Sequence, residues 1–255
     1  DPEWPGGSDP PSGGEGDEVW QCPASEYGTG FADKYWDWPE RTVGKLFFIT
    51  PDGLAGECSG CVVNDSLVLT AGHCVASYGI WHTDFLFIPG FHRGLEPFGR
   101  LYVRLPATFT AWLESHELCR DVAFLAMYPK GFATLGQTVG HVGFSAEVEI
   151  GQTIWKQYGY PALDPYDGLR LVLSQSGYGH KDFPLGCSFT IGAGNPMTSG
   201  SSGGPWAFFD ENEAYYANGL NSYGYETCQE TMYSPYFDQE VWDMYQFMKD
   251  HQKGR

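Results

Sequence analysis

The sequence predicts an all-β fold. Short segments rich in β-branched and aromatic residues recur from Thr42 onward, and Gly, Pro, Asn or Asp separates most of them. Glycine occurs 34 times and aromatic residues make up 16% of the chain, which suits strands and turns better than helical bundles. Many short strands at close spacing indicate a sandwich or a barrel rather than βαβ units.

The first 33 residues contain no Lys or Arg and consist largely of Pro, Gly and acidic residues. Such a composition buries little apolar surface, so we expect mobility up to about Glu18. The predicted division is an N-terminal extension over residues 1–41, partly disordered, and one domain over residues 42–255. The extension could also be the remnant of a pro-segment.

The predicted strands and one helix follow in order. The strand segments are "VGKLFFIT", "CVV", "LVLT", "DFLFIP", "RLYVRL", "VAFLAM", "TIWKQYGY" and "LRLVLSQS". Near the end of the chain, apolar residues stand three or four positions apart, at Phe237, Val241, Tyr245 and Met248. This spacing predicts a C-terminal helix with one face packed on the body.

The charge and the cysteines limit the partners and the compartment. The net charge of −18 makes nucleic acids and anionic membrane surfaces poor partners, because like charges repel. No apolar run approaches the roughly 18 residues that a membrane span needs. The chain begins at Asp1 without Met, as expected of a processed form, although a trimmed chain would look the same. Seven cysteines allow three disulfides, which favours an extracellular setting.

The stretch "CSGCVVNDSLVLTAGHCV" has three interpretations. Cys58, Cys61, His73 and Cys74 supply the four ligands of a zinc site, but neighbours on a strand-like segment point to opposite faces. A redox CxxC usually opens a helix, whereas this one runs into a strand-turn-strand pattern. In the third interpretation, which we favour, Cys58 and Cys74 bridge two paired strands and hold His73. No metal or cofactor is then expected.

Four motifs resemble those of the chymotrypsin-type serine peptidases. "LTAGHC" with the upstream "CSG" is similar to the histidine region, and "CRDVAFLAM" to the aspartate segment, which points to Asp121. "TSGSSGGPW" resembles the nucleophile turn and points to Ser202, and "GLNSYGY" resembles the substrate-binding strand. The order His, Asp, Ser is that of this fold. The resemblance covers about Thr42 to Lys249.

The resemblance implies both a fold and a chemistry. The fold would be two six-stranded antiparallel β-barrels and a C-terminal helix, with the site in the cleft between them. His73 would act as general base, Asp121 would orient it, and Ser202 would be the nucleophile. The N–H groups of Gly200 and Ser202 would form the oxyanion hole. The activity implied is that of a secreted, monomeric serine endopeptidase acting on proteins or peptides through an acyl-enzyme.

Two departures from the family pattern concern activation. Animal enzymes place before the nucleophile an Asp that binds the new N-terminal amine after zymogen cleavage, and here that position is Ser201. The chain also continues upstream through Arg41. Both features resemble the secreted microbial branch that includes glutamyl endopeptidases, and imply that activation by terminus insertion is absent. Removal of an earlier pro-segment stays open.

The resemblance also implies a disulfide framework. Cys58 would pair with Cys74, and Cys187 with Cys228, the second bond bracing the primary pocket. A third bond, Cys22–Cys119, would tether the N-terminal extension to the domain. Cys61 would then be a free thiol in the core.

The specificity pocket is the least defined part of the prediction. The stretch before the nucleophile, "GAGNPMTSGS", has no acidic residue, so cleavage after Lys or Arg is not expected. The predicted substrate-binding residues are Pro196, Met197, Asn221, Ser222, Tyr223 and Gly224, and the first two with Tyr223 would favour an apolar side chain. Asn221 stands where glutamyl endopeptidases have a His, which lowers a preference for Glu without abolishing it. A non-catalytic binding protein on the same fold is the remaining alternative.

Overall fold

The computed structural model describes residues 25–131 and 133–251. These residues contain sixteen strands, three α-helices and five short 3₁₀ helices. The strands are β1 (Tyr27–Phe31), β2 (Val43–Ile49), β3 (Ala55–Val62), β4 (Leu67–Thr70), β5 (Ala76–Ser77), β6 (Ile80–Trp81), β7 (Thr83–Pro89), β8 (Leu101–Thr108), β9 (Ala123–Met127), β10 (Gly143–Phe144), β11 (Ile154–Gly159), β12 (Val172–Asp182), β13 (Thr190–Gly194), β14 (Pro205–Phe209), β15 (Tyr215–Leu220) and β16 (Thr231–Pro235). The α-helices are α1 (Thr110–Ser115), α2 (Leu135–Val139) and α3 (Gln239–Asp250).

The first half of the domain is a closed barrel of six antiparallel strands in the order β2-β3-β4-β9-β8-β7. Strands β4 and β9 are the most deeply buried, and all residues of "LVLT" and "AFLAM" are inaccessible or nearly so. Their unbroken apolar runs suit strands that are covered on both faces. Because β4 pairs with β9 from Leu67↔Ala126 to Thr70↔Ala123, the segments after β4 and before β9 emerge at the same end of the barrel.

The second half contains the antiparallel set β15-β14-β11-β12-β13-β16. The Leu220 N–H in β15 donates to Ser234 Oγ in β16 at 2.9 Å, so the two outer strands of this set approach each other. Two further strands enlarge the sheet to eight: β10 pairs in parallel with β15, and β1 pairs with β12. The all-β prediction is therefore confirmed, with two strands added to the six expected in this half.

Strand β1 comes from the N-terminal extension. It pairs with β12 from Tyr27↔Ser176 to Phe31↔Val172, and Ser25 Oγ accepts from the Gly194 N–H at 2.6 Å. Residues Tyr27–Phe31 of the extension are therefore part of the second sheet. The mobility predicted up to Glu18 concerns residues outside those described.

Helix α3 contains three of the four apolar residues whose spacing predicted it, and Phe237 lies two residues before its start. The Asp238 carboxylate caps the helix by accepting from the backbone N–H groups of Glu240 and Val241, at 3.1 and 3.2 Å. Val241, Tyr245 and Met248 are buried, as the spacing predicted. Among the described residues, no helix has the length and apolar character required to cross a membrane.

Two disulfides are defined within the described residues. Cys58 pairs with Cys74 as predicted, and Cys119 pairs with Cys187. The predicted pairs Cys187–Cys228 and Cys22–Cys119 are therefore wrong. Cys187 lies in the segment between β12 and β13, and this bond joins that segment to the 3₁₀ turn Leu118–Arg120 before β9.

The remaining cysteines have different states. Cys228 is disulfide-bonded, and Cys22 lies outside the described residues. Cys61 is a free, buried thiol in β3, as predicted. Burial raises the pKa of Cys61 to about 12, although contact with the Thr42 hydroxyl opposes the shift slightly. The thiol is therefore neutral at physiological pH and does not behave as a redox-active thiolate.

Candidate active site

His73 and Asp121 lie side by side at the end of the first barrel. His73 is in the 3₁₀ turn Gly72–Cys74 after β4, and Asp121 follows the 3₁₀ turn Leu118–Arg120 before β9. The pairing of β4 with β9 brings the two turns together. His73 Nδ1 lies 2.8 Å from Asp121 Oδ2, and the His73 backbone N–H donates to Asp121 Oδ1 at 2.7 Å. These two contacts fix both the ring and the main chain of His73.

Asp121 also receives a hydrogen bond from the second half of the domain. The Ser222 hydroxyl donates to Asp121 Oδ2 at 2.5 Å, and both residues are fully buried. A buried carboxylate is stable only when its oxygens are well satisfied, and three donors meet that requirement here. The Ser222 side chain therefore supports the carboxylate, and the predicted contact of Ser222 with substrate stays a prediction.

Ser202 lies in the loop between β13 and β14. Its carbonyl accepts from the Ser59 N–H at 2.7 Å and lies 3.7 Å from Sγ of Cys74, the residue after His73. The nucleophile loop is thus joined to the first barrel beside the histidine turn. Within the described parts of the chain, Ser202 Oγ makes no hydrogen bond. In free enzymes the contact between nucleophile and base is often long and tightens only with substrate.

Two backbone N–H groups beside Ser202 are free to bind a ligand oxygen. The N–H groups of Gly200 and Ser202 have no hydrogen-bond partner among the described residues. Gly200 has φ +89°, and a Cβ there would lie 2.6 Å from the Tyr160 carbonyl oxygen. Only glycine fits this backbone. The arrangement is that expected of an oxyanion hole.

The predicted pocket residues differ in exposure. Pro196 and Gly224 are partly exposed. Met197 is 4% exposed and packs in a second core cluster with Trp155 and Trp206. For these residues, contact with substrate stays a prediction.

Tyr223 is fully buried. Its hydroxyl donates to the Asp182 carboxylate at 2.6 Å, and the Tyr225 hydroxyl donates to the same oxygen at 2.7 Å. Burial, reinforced by the Asp182 charge, raises the pKa of Tyr223 far above its ordinary value, and burial with the Asp182 bond raises that of Tyr225. Both phenols therefore stay protonated donors. Tyr223 was predicted to contact substrate, and that role stays a prediction.

Asn221 is also fully buried, and all its amide hydrogen-bonding positions are in use. Oδ1 accepts from Trp206 Nε1 at 2.8 Å and from Asn195 Nδ2 at 3.1 Å. Nδ2 donates to the carbonyls of Tyr158 and Ser201 at 3.0 and 3.1 Å. No donor is left over to read a substrate carboxylate.

Sequence reasoning missed Arg120 and Ser59. Arg120 precedes Asp121 and pairs with Asp238 and Glu240 at the start of α3, both at 2.8 Å, so the helix braces the aspartate turn. In the sequence, the only signal for Arg120 was its position directly before Asp121. That signal is weak, because arginines on protein surfaces are common. Ser59 lay inside the quoted "CSG", but nothing in the sequence distinguished it from other core serines.

The zinc interpretation does not fit the donor set. Donor atoms of Cys58, His73 and Cys74 lie within 4.8 Å of one another. However, Cys58 and Cys74 are joined in a disulfide, so neither sulfur is a thiolate that could bind zinc. The histidine ring is instead held by Asp121.

The comparisons with known proteins agree with this geometry. The family model described as trypsin matches residues 48–248, so the chain belongs to the trypsin family. Among solved structures, protease Anisep from Arthrobacter nicotinovorans is similar at 33% identity and TM-score 0.74, over 82% of this chain and 95% of that one. The thermostable serine protease AL20 from an extremophilic microorganism is 32% identical, with TM-score 0.73, over 81% of this chain and 96% of that one.

A third solved structure, a Glu endopeptidase, is 16% identical, with TM-score 0.70, over 89% of this chain and 99% of that one. This similarity shows a shared fold. A comparison with curated proteins found no match. The resemblance to chymotrypsin-type serine peptidases is confirmed, and two of the similar solved structures are microbial proteases.

Proposed function

We propose that this protein is a serine endopeptidase that uses Ser202, His73 and Asp121. The observation that carries the proposal is the buried hydrogen-bond chain from Ser222 through Asp121 to His73. A carboxylate so placed holds the imidazole in the tautomer whose Nε2 can accept a proton. Family membership and two similar proteases support the same function.

The first half of the reaction forms the acyl-enzyme. Ser202 Oγ attacks the scissile carbonyl carbon while His73 Nε2 takes the hydroxyl proton. The carbonyl π electrons move onto oxygen, and this oxyanion is bound by the N–H groups of Gly200 and Ser202. One such donor contributes about 3–4 kcal/mol to the transition state. When the intermediate collapses, the carbon–nitrogen bond breaks and His73 gives its proton to the leaving amine.

The second half of the reaction returns the enzyme to its starting state. Water attacks the acyl carbon, His73 again accepts the proton, and the ester bond to Ser202 Oγ breaks as the hydroxyl is reprotonated. Asp121 holds the imidazole throughout and stabilises the imidazolium. The protein supplies every group in this cycle, and no cofactor is invoked.

An apolar side chain is the proposed primary preference. The segment from Asn195 to Ser199 and the segment from Ser222 to Gly224 after β15 carry no charged side chain. A substrate cation or carboxylate would therefore lose its hydration without gaining a counter-ion there. The occupied amide of Asn221 supports the same choice over a Glu preference. We also propose an extracellular setting, because disulfides persist in oxidising compartments.

Cleavage-site profiling tests the proposal. An unstructured protein mixture is digested with the wild type and with Ser202→Ala, and new termini are read by mass spectrometry. The proposal predicts cuts by the wild type alone, mostly after uncharged apolar residues. Equal cutting by both proteins would remove Ser202 from the mechanism. No cutting by a wild type that is folded and free of its pro-segment would favour a binding protein on this fold.

A further inference from the structure

The loop that carries the nucleophile is held in its shape without a buried charge. Animal relatives use an Asp before the serine for this purpose, and Ser201 cannot form that ion pair. The Ser201 hydroxyl instead donates to the Thr198 carbonyl at 2.7 Å. The contacts that hold the nucleophile loop in place of the ion pair must therefore come from neutral groups.

Each carbonyl from Thr198 to Ser202 accepts a hydrogen bond from within the protein. Ser59 serves two of them, through Oγ to Gly200 at 2.9 Å and through its N–H to Ser202 at 2.7 Å. The Ala162 N–H donates to the Ser199 carbonyl at 2.7 Å. The loop is therefore fixed on its inner side by main-chain and side-chain donors from other segments.

The bonds to two of these carbonyls decide where the oxyanion donors point. In a planar trans peptide the C=O and N–H groups point in opposite directions. Fixing the Ser199 carbonyl therefore directs the Gly200 N–H the other way, and fixing the Ser201 carbonyl does the same for the Ser202 N–H. The Ala162 N–H holds the first peptide, and two donors hold the second: the Gly204 N–H at 2.9 Å, from within the loop itself, and Asn221 Nδ2 at 3.1 Å, the side-chain donor from outside the loop.

Asn221 is tied to this loop at three points. Besides its side-chain bond to Ser201, its carbonyl accepts from the Gly203 N–H at 2.8 Å, and its own N–H donates to the Gly204 carbonyl at 2.9 Å. Trp206 and Asn195 donate to Oδ1, which fixes the amide orientation so that Nδ2 faces the loop. The amide cannot rotate without losing four hydrogen bonds.

We infer that Asn221 is the positioning residue that holds the Ser201–Ser202 peptide with its N–H directed into the oxyanion hole, in place of an inserted N-terminus. The inference rests on the proposed peptidase activity and deepens it. Asn221 contacts no substrate and acts through the peptide that it fixes. Loss of its donor leaves Ser202 able to attack but removes part of the stabilisation of the oxyanion.

The test compares Asn221→Leu with Asn218→Leu. Asn218 is a matched control, because it is buried in β15 three residues before Asn221, accepts from the Trp155 indole at 2.7 Å, and makes no hydrogen bond to the nucleophile loop. Loss of one oxyanion donor lowers kcat by about 10²–10³-fold, so we expect that loss for Asn221→Leu with a KM within about threefold of wild type. Asn218→Leu is expected to keep kcat within about twofold.

Two inhibitors separate positioning from general damage. A peptide aldehyde forms a hemiacetal with Ser202 and places an oxyanion in the hole, whereas the corresponding peptide acid binds as a ground-state product. We expect Asn221→Leu to weaken the aldehyde in proportion to kcat/KM and to leave the affinity of the acid unchanged. Equal weakening of both ligands, or wild-type kcat in Asn221→Leu, would overturn the inference.

A milder pair of variants covers a failure to fold. Asn221→Asp keeps the size of the side chain and the acceptor for Trp206, but its carboxyl can serve at most one of the two carbonyls. If Asn221→Leu does not fold, the same comparison is made between Asn221→Asp and Asn218→Asp, with the same expected selective loss of aldehyde affinity. A wild type without peptidase activity would instead refute the proposed function.

Discussion

Asp121→Asn is the substitution that most sharply tests the role of the buried carboxylate. Three donors converge on Asp121: His73 Nδ1–H and the Ser222 hydroxyl on Oδ2, and the His73 backbone N–H on Oδ1. A carboxylate accepts all three, but an amide has only one oxygen. The change therefore keeps shape and volume while setting an NH₂ group against at least one donor.

The two orientations of the new amide have different costs. With its oxygen toward the His73 backbone N–H, the NH₂ group faces the ring, and Nδ1 must become an acceptor. Nε2 then carries the proton and cannot take one from Ser202. With its oxygen toward the ring, two buried N–H donors face each other, which costs about 1–3 kcal/mol. The first orientation avoids this conflict, so we expect kcat to fall on the order of 10⁴-fold with little change in KM.

The assay is steady-state hydrolysis of a chromogenic peptide ester and amide, with thermal unfolding as a check on the fold. Asp210→Asn is the matched control, because its carboxylate also accepts two N–H groups but lies in the exposed turn between β14 and β15. That variant is expected to retain wild-type kcat. A loss of less than tenfold in Asp121→Asn, with the fold intact, would refute the assignment of the orienting carboxylate.

Three further predictions concern stability. Replacing Cys119 and Cys187 by Ala releases a link across 68 residues, and loop entropy alone predicts a loss of about 4 kcal/mol in urea unfolding. Lys45→Met leaves Glu57 without its buried ammonium partner and should cost less than the ~3–5 kcal/mol of a fully buried pair, because Glu57 is 30% exposed. Burial lowers the pKa of His82 in the folded protein below its ordinary value. As the pH drops through the ordinary histidine pKa, the unfolded chain takes up a proton at His82 but the folded protein does not, so the free energy of unfolding falls. Above that pH both states are neutral at His82 and its contribution to stability is fully present. His82→Gln should reduce that loss of thermal stability between pH 7 and pH 5.

Each of these stability predictions has a control in the chain. Cys61→Ala removes a thiol that forms no disulfide, and should cost far less than the double replacement. Lys34→Met changes an exposed lysine and should leave unfolding unaltered. His251→Gln changes an exposed histidine and should leave the pH dependence as it is. If a control variant changed stability, or its pH dependence, as much as its test variant does, the corresponding prediction would be contradicted.

The sequence predicted the fold class and the three candidate catalytic residues because local patterns carry them. The apolar strands, the helix stripe ending at Met248 and the motifs around His73, Asp121 and Ser202 are each written in a few neighbouring residues. The bond between Cys58 and Cys74 was also predictable, since both flank one strand-turn-strand unit. These features depend little on how distant segments meet.

The wrong predictions depend on distant segments. Cys119 and Cys187 are separated by 68 residues, and their pairing depends on how the segment between β12 and β13 meets the turn before β9, which no local pattern specifies. For Ser222 and Asn221, the resemblance of "GLNSYGY" to a substrate-binding strand predicts substrate contact, which stays a prediction, but it does not reveal what their side chains contact within the protein. Their side chains turn inward, to Asp121 and Ser201, and only the packing of the two halves shows this. The addition of β1 to the second sheet is hidden for the same reason.

The most direct test of the central claim is covalent labelling by a phosphonofluoridate. The reagent forms a P–O bond with an activated serine and releases fluoride. The account predicts one adduct per chain, located on Ser202 by peptide mass spectrometry, and a rate that collapses in His73→Ala. Absence of labelling in the folded wild type, or a rate unaffected by His73→Ala, would contradict the claim that His73 activates Ser202.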